Sequence, residues 1–319
     1  MAQARRFMRR LLLFSLPFWI YAVALYLIDP FCVLDAPAVV PVMLKLPIAN
    51  QLNSCMWKMN QFRRHPSPRI LLGDSRMMAM NAEEVSRAAG AEYFNFAYGG
   101  GTVKEMVDTF WFAQRHVRLT NVYFGINLNL YNDYNYTDRT RTYLTIEQNP
   151  ALYFVNRTVV EAAYYSLYSD LTHTDLRLGV PRMTREEFWR QQLGPYTAAT
   201  YANYLYPNNY KKDLKAIADF CRNNGIRLAF IIFPTHVELQ RRILDFHLEE
   251  VNARFRQDLA SMATTYDYDY VSEITLPKKN FRDPYHFTDE VRTIVIREIW
   301  GGANLQYARK WESGMGPAY

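Results

Sequence analysis

Cysteine, charge and repetition are all scarce in this sequence, and each shortage closes off a class of protein. Three cysteines in 319 residues, Cys32, Cys55 and Cys221, are too few for a disulfide scaffold. None has zinc-like spacing, and no Cys-x-x-Cys occurs. The absence of an internal repeat or low-complexity linker excludes solenoids and arrays. Charged residues make up 21% against 50% hydrophobic, the composition of a chain that buries a core. The net charge of +6 invites a nucleic-acid reading, but Arg5, Arg6, Arg9 and Arg10 supply four of those charges. The remaining 309 residues carry only +2, which leaves no domain-wide basic field for a polyanion. No nucleic acid is expected as a partner.

Charge is missing altogether from residues 11–28, eighteen residues reading LLLFSLPFWIYAVALYLI. As a helix this run is about 27 Å long, close to the hydrocarbon thickness of a bilayer. Pro17 is tolerable near its start, and Trp19, Tyr21 and Tyr26 suit interfacial or protein-packed positions. The basic flank 1–10 belongs on the cytoplasmic side, which puts everything after Asp29-Pro30 outside. The rival is a signal peptide cleaved near Ala36-Pro37-Ala38, but the apolar run is longer than a usual signal core. The expectation is one uncleaved anchor in the cytoplasmic (inner) membrane, touching the lipid bilayer through 11–28. An outside location permits a Cys32–Cys55 disulfide, and the odd count leaves at least one free thiol.

Residues 31–68 read as a juxtamembrane connector with a helix at 48–62, ended by His65-Pro66-Ser67-Pro68. Short apolar runs then alternate with helical patterns. Strands are expected at 69–73, 92–96, 121–126, 227–233 and 268–271. Helices are expected at 77–89, 103–117, 212–223, 237–264 and 289–300. This alternation predicts an α/β domain over 69–300, a three-layer sandwich with a mainly parallel central sheet. Ligands bind such sheets at the carboxyl ends of the strands. Between 131 and 210 the alternation stops, giving an insertion with 13 tyrosines, expected to cover a surface or groove. Residues 301–319 read as a C-terminal tail.

Four loops carry candidate chemistry. Gly73-Asp74-Ser75-Arg76 follows a strand and opens a helix, so Ser75 projects from a tight turn beside helix N–H groups. The competing reading is a plain helix cap, since Asp and Ser are favoured there. Gly99-Gly100-Gly101 allows close backbone approach and an N–H aimed at an oxyanion, or is simply a flexible turn. Asn127, after the third strand, can donate from its amide or serve as a turn residue. Asp283-Pro-Tyr-His286 precedes the last helix. Its spacing of three lets Asp283 orient the His286 ring while the other ring nitrogen accepts a proton. His236 is the competing base, without an acid placed to orient it.

Taken in order, these loops resemble the four blocks of the SGNH hydrolase superfamily over roughly residues 70–300, with the insertion as the unmatched part. The resemblance implies Ser75 as nucleophile, His286 as base, Asp283 as orienting acid, and Gly100 and Asn127 as oxyanion donors. It implies no cofactor and no metal. The third block usually continues with Asp where Leu128 stands, and Gly99 or Gly101 could replace Gly100. With the anchor, the chain resembles envelope acyl-transfer proteins, namely D-alanyl-transfer proteins of teichoic acid modification and SGNH-type partners in polysaccharide O-acetylation. That implies an O-acyltransferase moving acetyl or D-alanyl groups onto an envelope polysaccharide or teichoic-acid-like acceptor, beside a membrane-bound O-acyltransferase. The alternatives are a tethered esterase or deacetylase with the same triad, or a non-catalytic scaffold subunit.

Overall fold

A computed structural model describes residues 2–37, 39–174 and 183–312. The chain divides into two compact units, Met1–Gln61 with Arg139–Pro181, and Phe62–Asp138 with Arg182–Tyr319.

The first unit opens with the helix Ala2–Ile28. Within it Gln3–Ile28 is long and apolar enough to cross a membrane, with a mean hydropathy of 2.2 over its most apolar eighteen residues. Asp29 ends it in a left-handed turn at φ 38°. The buried Asp29 carboxylate accepts hydrogen bonds from the N–H groups of Val33 and Leu34, each at 2.9 Å, and from the Tyr153 hydroxyl at 2.7 Å. A second helix, Val42–Arg64, is longer than the expected 48–62 and bends at Asn53. The Asn53 Oδ1 accepts the Met56 N–H at 3.0 Å and so caps the second half of that helix. Neither Cys32 nor Cys55 is disulfide-bonded, so the pairing that an outside location permits is not formed. Cys32 sits at φ 53° in the turn after the first helix, whereas Cys55 is buried within the second. The middle of the Tyr-rich insertion, including the helices Thr140–Gln148 and Arg157–Thr172, belongs to this unit. That part packs with the N-terminal segment.

The second unit is built on a sheet of β1 (Arg69–Gly73), β2 (Phe94–Asn95), β3 (Asn121–Gly125), β4 (Arg227–Ile232) and β5 (Thr264–Asp267), all parallel. A short hairpin of β6 (Phe281–Asp283) and β7 (His286–Phe287) lies outside it, and β8 (Arg309–Trp311) pairs antiparallel with β5. The sheet order is β2-β1-β3-β4-β5-β8. Alternate side chains serve opposite layers, as the strand period requires. Leu71, Tyr123, Ala229 and Ile231 join one core cluster with Val291 and Val295 of the helix Asp289–Ile299. On the other face Phe124 stacks with Phe110 of the helix Val103–His116, and Phe110 meets Phe220 of the helix Asn208–Asn223. These are the three layers that the alternation predicts.

Several expectations shift. The helix expected at 77–89 is two helices, Ser75–Met78 and Ala82–Ala89, the second capped by Asn81. The helix expected at 237–264 is two helices, Val237–Asp245 and Glu249–Met262, broken where His247 adopts φ 54°. The strand expected at 268–271 lies earlier, at β5, whose Thr265 and Asp267 are buried polar residues that hide it from an apolar-run reading. In addition, β8 falls in the stretch read as a tail. An edge strand of Arg, Lys and Trp carries the charges that discourage further pairing and so looks like solvated chain.

Gly73 and Gly125 are register partners at the carboxyl ends of β1 and β3. A Cβ on Gly73 would stand 2.5 Å from the Met77 Cβ, and one on Gly125 would stand 2.5 Å from the Phe233 ring. Neither neighbour is a free chain end. Gly73→Ala should therefore destabilise by about 1–3 kcal/mol through overpacking. Gly194→Ala, with nothing within 4 Å of its Cβ, should stay within about 0.5 kcal/mol of wild type. Thermal melts of the detergent-solubilised protein compare the two.

Candidate active site

The site grows from the carboxyl end of β1. After Gly73 the chain turns directly into the short helix Ser75–Met78, with Asp74 as its N-cap. The Asp74 carboxylate accepts the Arg76 N–H at 2.9 Å, so Asp74 does the capping and the Ser75 hydroxyl is left for another partner. That partner is His286, whose Nε2 lies 2.7 Å from the Ser75 Oγ. The β6–β7 hairpin makes the contact possible. Asp283 and His286 are cross-strand partners, and Pro284 and Tyr285 form the turn between them. His286 Nδ1 is 2.7 Å from the Asp283 Oδ2. Asp283 is buried, and its Oδ1 accepts the Tyr285 N–H at 2.9 Å. An ionised carboxylate has no proton to give, so Nδ1 carries the hydrogen and Nε2 is free to accept from the serine.

Around this relay lies a cavity of about 240 Å³, lined among others by Gly100, Asn129, Tyr134, Tyr136 and Tyr196. Gly100 sits at φ 61° in a turn closed by the Gly101 N–H bonding to the Tyr98 carbonyl at 2.9 Å. Among the described residues, the Gly100 N–H has no hydrogen-bond partner. Asn127 is elsewhere. Its Nδ2 donates to the Phe233 carbonyl at 2.7 Å and its Oδ1 accepts the Phe233 N–H at 3.1 Å. Both amide atoms thus fasten the end of β3 to the end of β4, one of the two Nδ2 hydrogens is spent in doing so, and Asn127 is not among the residues that line the cavity. Asn129, two residues on, lines the cavity instead.

Asn129 is held by Arg76, which is 1% exposed. The Arg76 Nη2 donates to the Asp74 Oδ2 at 2.7 Å and to the Asn129 Oδ1 at 2.9 Å. Because the guanidinium can only donate, the Asn129 oxygen must face it and the NH2 group must point away. Burial alone would lower the Arg76 pKa, but the adjacent Asp74 carboxylate outweighs it and holds the guanidinium above its ordinary value. Sequence reading missed Asn129. The signal present was Asn-x-Asn in the turn after β3, two amides close in sequence, with an arginine beside the serine.

His236, the competing base, is buried as a helix cap. Its Nδ1 accepts the Glu238 N–H at 3.3 Å and its Nε2 meets the Leu276 carbonyl at 3.2 Å. A second cavity of about 670 Å³ lies beside β5, among residues such as Gln240, Arg256 and Tyr270, and no serine, histidine or cysteine lines it. Among the described residues, no group of three or more His, Cys, Asp and Glu could hold a metal ion.

No family model and no curated protein matches the chain. Solved structures with loose similarity include a candidate platelet activating factor from Streptococcus pneumoniae, with a TM-score of 0.42 at 11% identity, over 81% of this chain and 96% of that one. A GDSL-like lipase from Bacteroides thetaiotaomicron has a TM-score of 0.36 at 10% identity, over 77% of this chain and 95% of that one. A candidate acylhydrolase from Bacteroides fragilis has a TM-score of 0.33 at 10% identity, over 73% and 85%. The chemistry of the site therefore rests on its own geometry.

Burial lowers the His236 pKa below its ordinary 6.5, against the raising effect of nearby Glu238. The native state then binds fewer protons there than the unfolded chain. The contribution is present above about pH 6.5 and is lost as pH falls through the depressed native value. His236→Asn, which keeps a capping acceptor but cannot titrate, should flatten the acid limb of a melting-temperature profile as pH falls below about 6.5.

Proposed function

We propose that this chain is a membrane-anchored, serine-dependent acyl-transfer enzyme of the SGNH hydrolase type. The observation that carries the reading is the unbroken Ser75–His286–Asp283 relay, with both links at 2.7 Å, opening into the cavity. In this mechanism the Ser75 Oγ attacks an acyl carbonyl while His286 Nε2 takes its proton, and Asp283 holds the ring and stabilises the imidazolium. The oxyanion of the tetrahedral intermediate is met by the Ser75 and Gly100 N–H groups and the Asn129 amide, each donor worth about 2.7–4 kcal/mol. His286 then returns the proton to the leaving group, leaving an acyl-serine. An acceptor hydroxyl, deprotonated by the same imidazole, releases the acyl group as a new ester.

Transfer to a saccharide or polyol, rather than to water, is supported by Tyr134, Tyr136 and Tyr196 at the cavity. They are 50%, 60% and 48% exposed and offer both ring faces and hydroxyls to a sugar. The apolar helix Gln3–Ile28 and its arginines support a single-pass anchor in the cytoplasmic membrane, N-terminus inside. On this reading the acceptor is an envelope polysaccharide or teichoic-acid-like polymer. The acyl donor is acetyl or D-alanyl, delivered by a membrane-bound O-acyltransferase.

Ser75→Ala should abolish labelling by a fluorophosphonate while changing stability by less than about 1 kcal/mol, because Asp74 supplies the cap. Labelling that persists moves the nucleophile elsewhere. With an activated acyl ester, product should partition to an added oligosaccharide; release to water alone, unchanged by acceptor, makes the protein an esterase. Asn129→Ala should lower kcat by about 10²–10³ with the fold intact. Asn127→Ala should instead lower the melting temperature, since it leaves two buried backbone groups of Phe233 unpaired.

A further inference from the structure

The helix Arg157–Thr172 has its polarity inside out. The face it buries is made of Val159, Ala162, Ala163, Ser166 and Ser169, four of the five small. The face it exposes is large and uncharged. Tyr164 is 63% exposed, Leu167 38%, Tyr168 44% and Leu171 72%, at the i, i+3, i+4, i+7 spacing of one stripe. A helix facing water shows the reverse, with large apolar residues inward and charge outward. Small residues inward and large apolar ones outward is how helices pack when their surroundings are as apolar as their own side chains.

The position of the helix agrees with this. It packs against the N-terminal helix Ala2–Ile28 of the same unit. Just before it, the Phe154 carbonyl accepts a hydrogen bond from the Tyr21 hydroxyl at 2.5 Å. Tyr21 lies seven residues before Ile28, the end of the apolar helix, which is about 10 Å along its axis. The start of the Arg157–Thr172 helix therefore lies beside the span rather than beyond it. The exposed apolar surface continues onto Met43, 85% exposed, at the start of the helix Val42–Arg64. Arg157 and Glu161 pair at 2.9 Å in the first turns of the helix, and the half-buried Asp170 stands in its last turn.

We propose that this stripe of the first unit is a lipid-contacting face, sunk into the outer boundary of the bilayer beside the anchor. The inference rests on the anchor assigned under Proposed function. Tyr164 and Tyr168 present an apolar ring inward and a hydroxyl to the headgroups, and Leu167 and Leu171 meet acyl chains. The insertion is on this view a second membrane contact.

The test uses the full chain in proteoliposomes, in a Cys32→Ser background whose remaining cysteines, Cys55 and Cys221, are buried. Leu167→Cys and Leu171→Cys are each labelled with an environment-sensitive fluorophore, with Leu13→Cys as anchor control and Leu305→Cys as water control. Quenching by spin-labelled lipid at 167 and 171 should come within about twofold of that at 13, with little quenching by iodide. If 167 and 171 respond to iodide as 305 does while 13 responds to lipid, the lipid face is overturned and the anchor stands. If 13 also responds to iodide, the anchor reading has failed. Iodide access at 167 and 171 in liposomes that vanishes in native membranes assigns the face to a protein partner and overturns the lipid assignment.

Discussion

A buried ion pair brackets the serine on which the site turns. Asp74 precedes Ser75 and Arg76 follows it, and their side chains meet at 2.7 Å with almost no solvent access. Two desolvated charges are expensive, and a pair of this kind survives only when further hydrogen bonds satisfy what remains of each group. Here Asp74 also caps the short helix and Arg76 also grips Asn129, although the buried Arg76 Nη1 has no partner among the described residues. Three jobs are joined in one contact: ending β1, starting the helix and setting the direction of an amide in the cavity. Loss of either charge would leave the other buried and alone, which typically costs about 3–5 kcal/mol. The serine is thus held in place by its neighbours, and its own hydroxyl is spared any structural duty.

The two imidazoles show how similar sequence surroundings diverge. His236 and His286 each sit at the entry to a helix or hairpin near the carboxyl edge of the sheet. His236 spends both ring nitrogens on backbone groups, and burial lowers its pKa against the raising effect of Glu238. His286 has one nitrogen on a carboxylate and the other on a hydroxyl, with a third of its side chain still exposed. The difference lies in what the second nitrogen meets.

Strands that are buried on both faces announce themselves, so β1, β3 and β4 were legible from their apolar runs, and the layered architecture followed. β5 was legible only in outline, because Thr265 and Asp267 are interior yet polar; Asp267 is there to receive Arg256 at 2.9 Å. The relay side chains were legible because each stands at the end of an element in a short polar cluster. The side-chain amide was not. Asn127 and Asn129 lie two residues apart in a turn after β3, where no strand period sets which side chain faces the cavity, and they are distinguished by tertiary partners, Phe233 for one and Arg76 for the other. The split of the insertion was also illegible. Tyrosine is as much at home against a bilayer as in a groove, and composition does not separate the two.

Asp29 turns the end of the apolar helix into a welded joint. Its carboxylate ties the backbone of Val33 and Leu34 and the hydroxyl of Tyr153, and the Lys45 ammonium reaches its carbonyl at 3.3 Å. A disordered stretch after a span would act as a leash, letting the helix spin and tilt without consequence for what it carries. A clamped exit behaves as a lever. With this helix as the proposed anchor, a change in bilayer thickness that tilts it would turn the rest of the first unit with it, coupling this half of the molecule mechanically to the membrane rather than mooring it there.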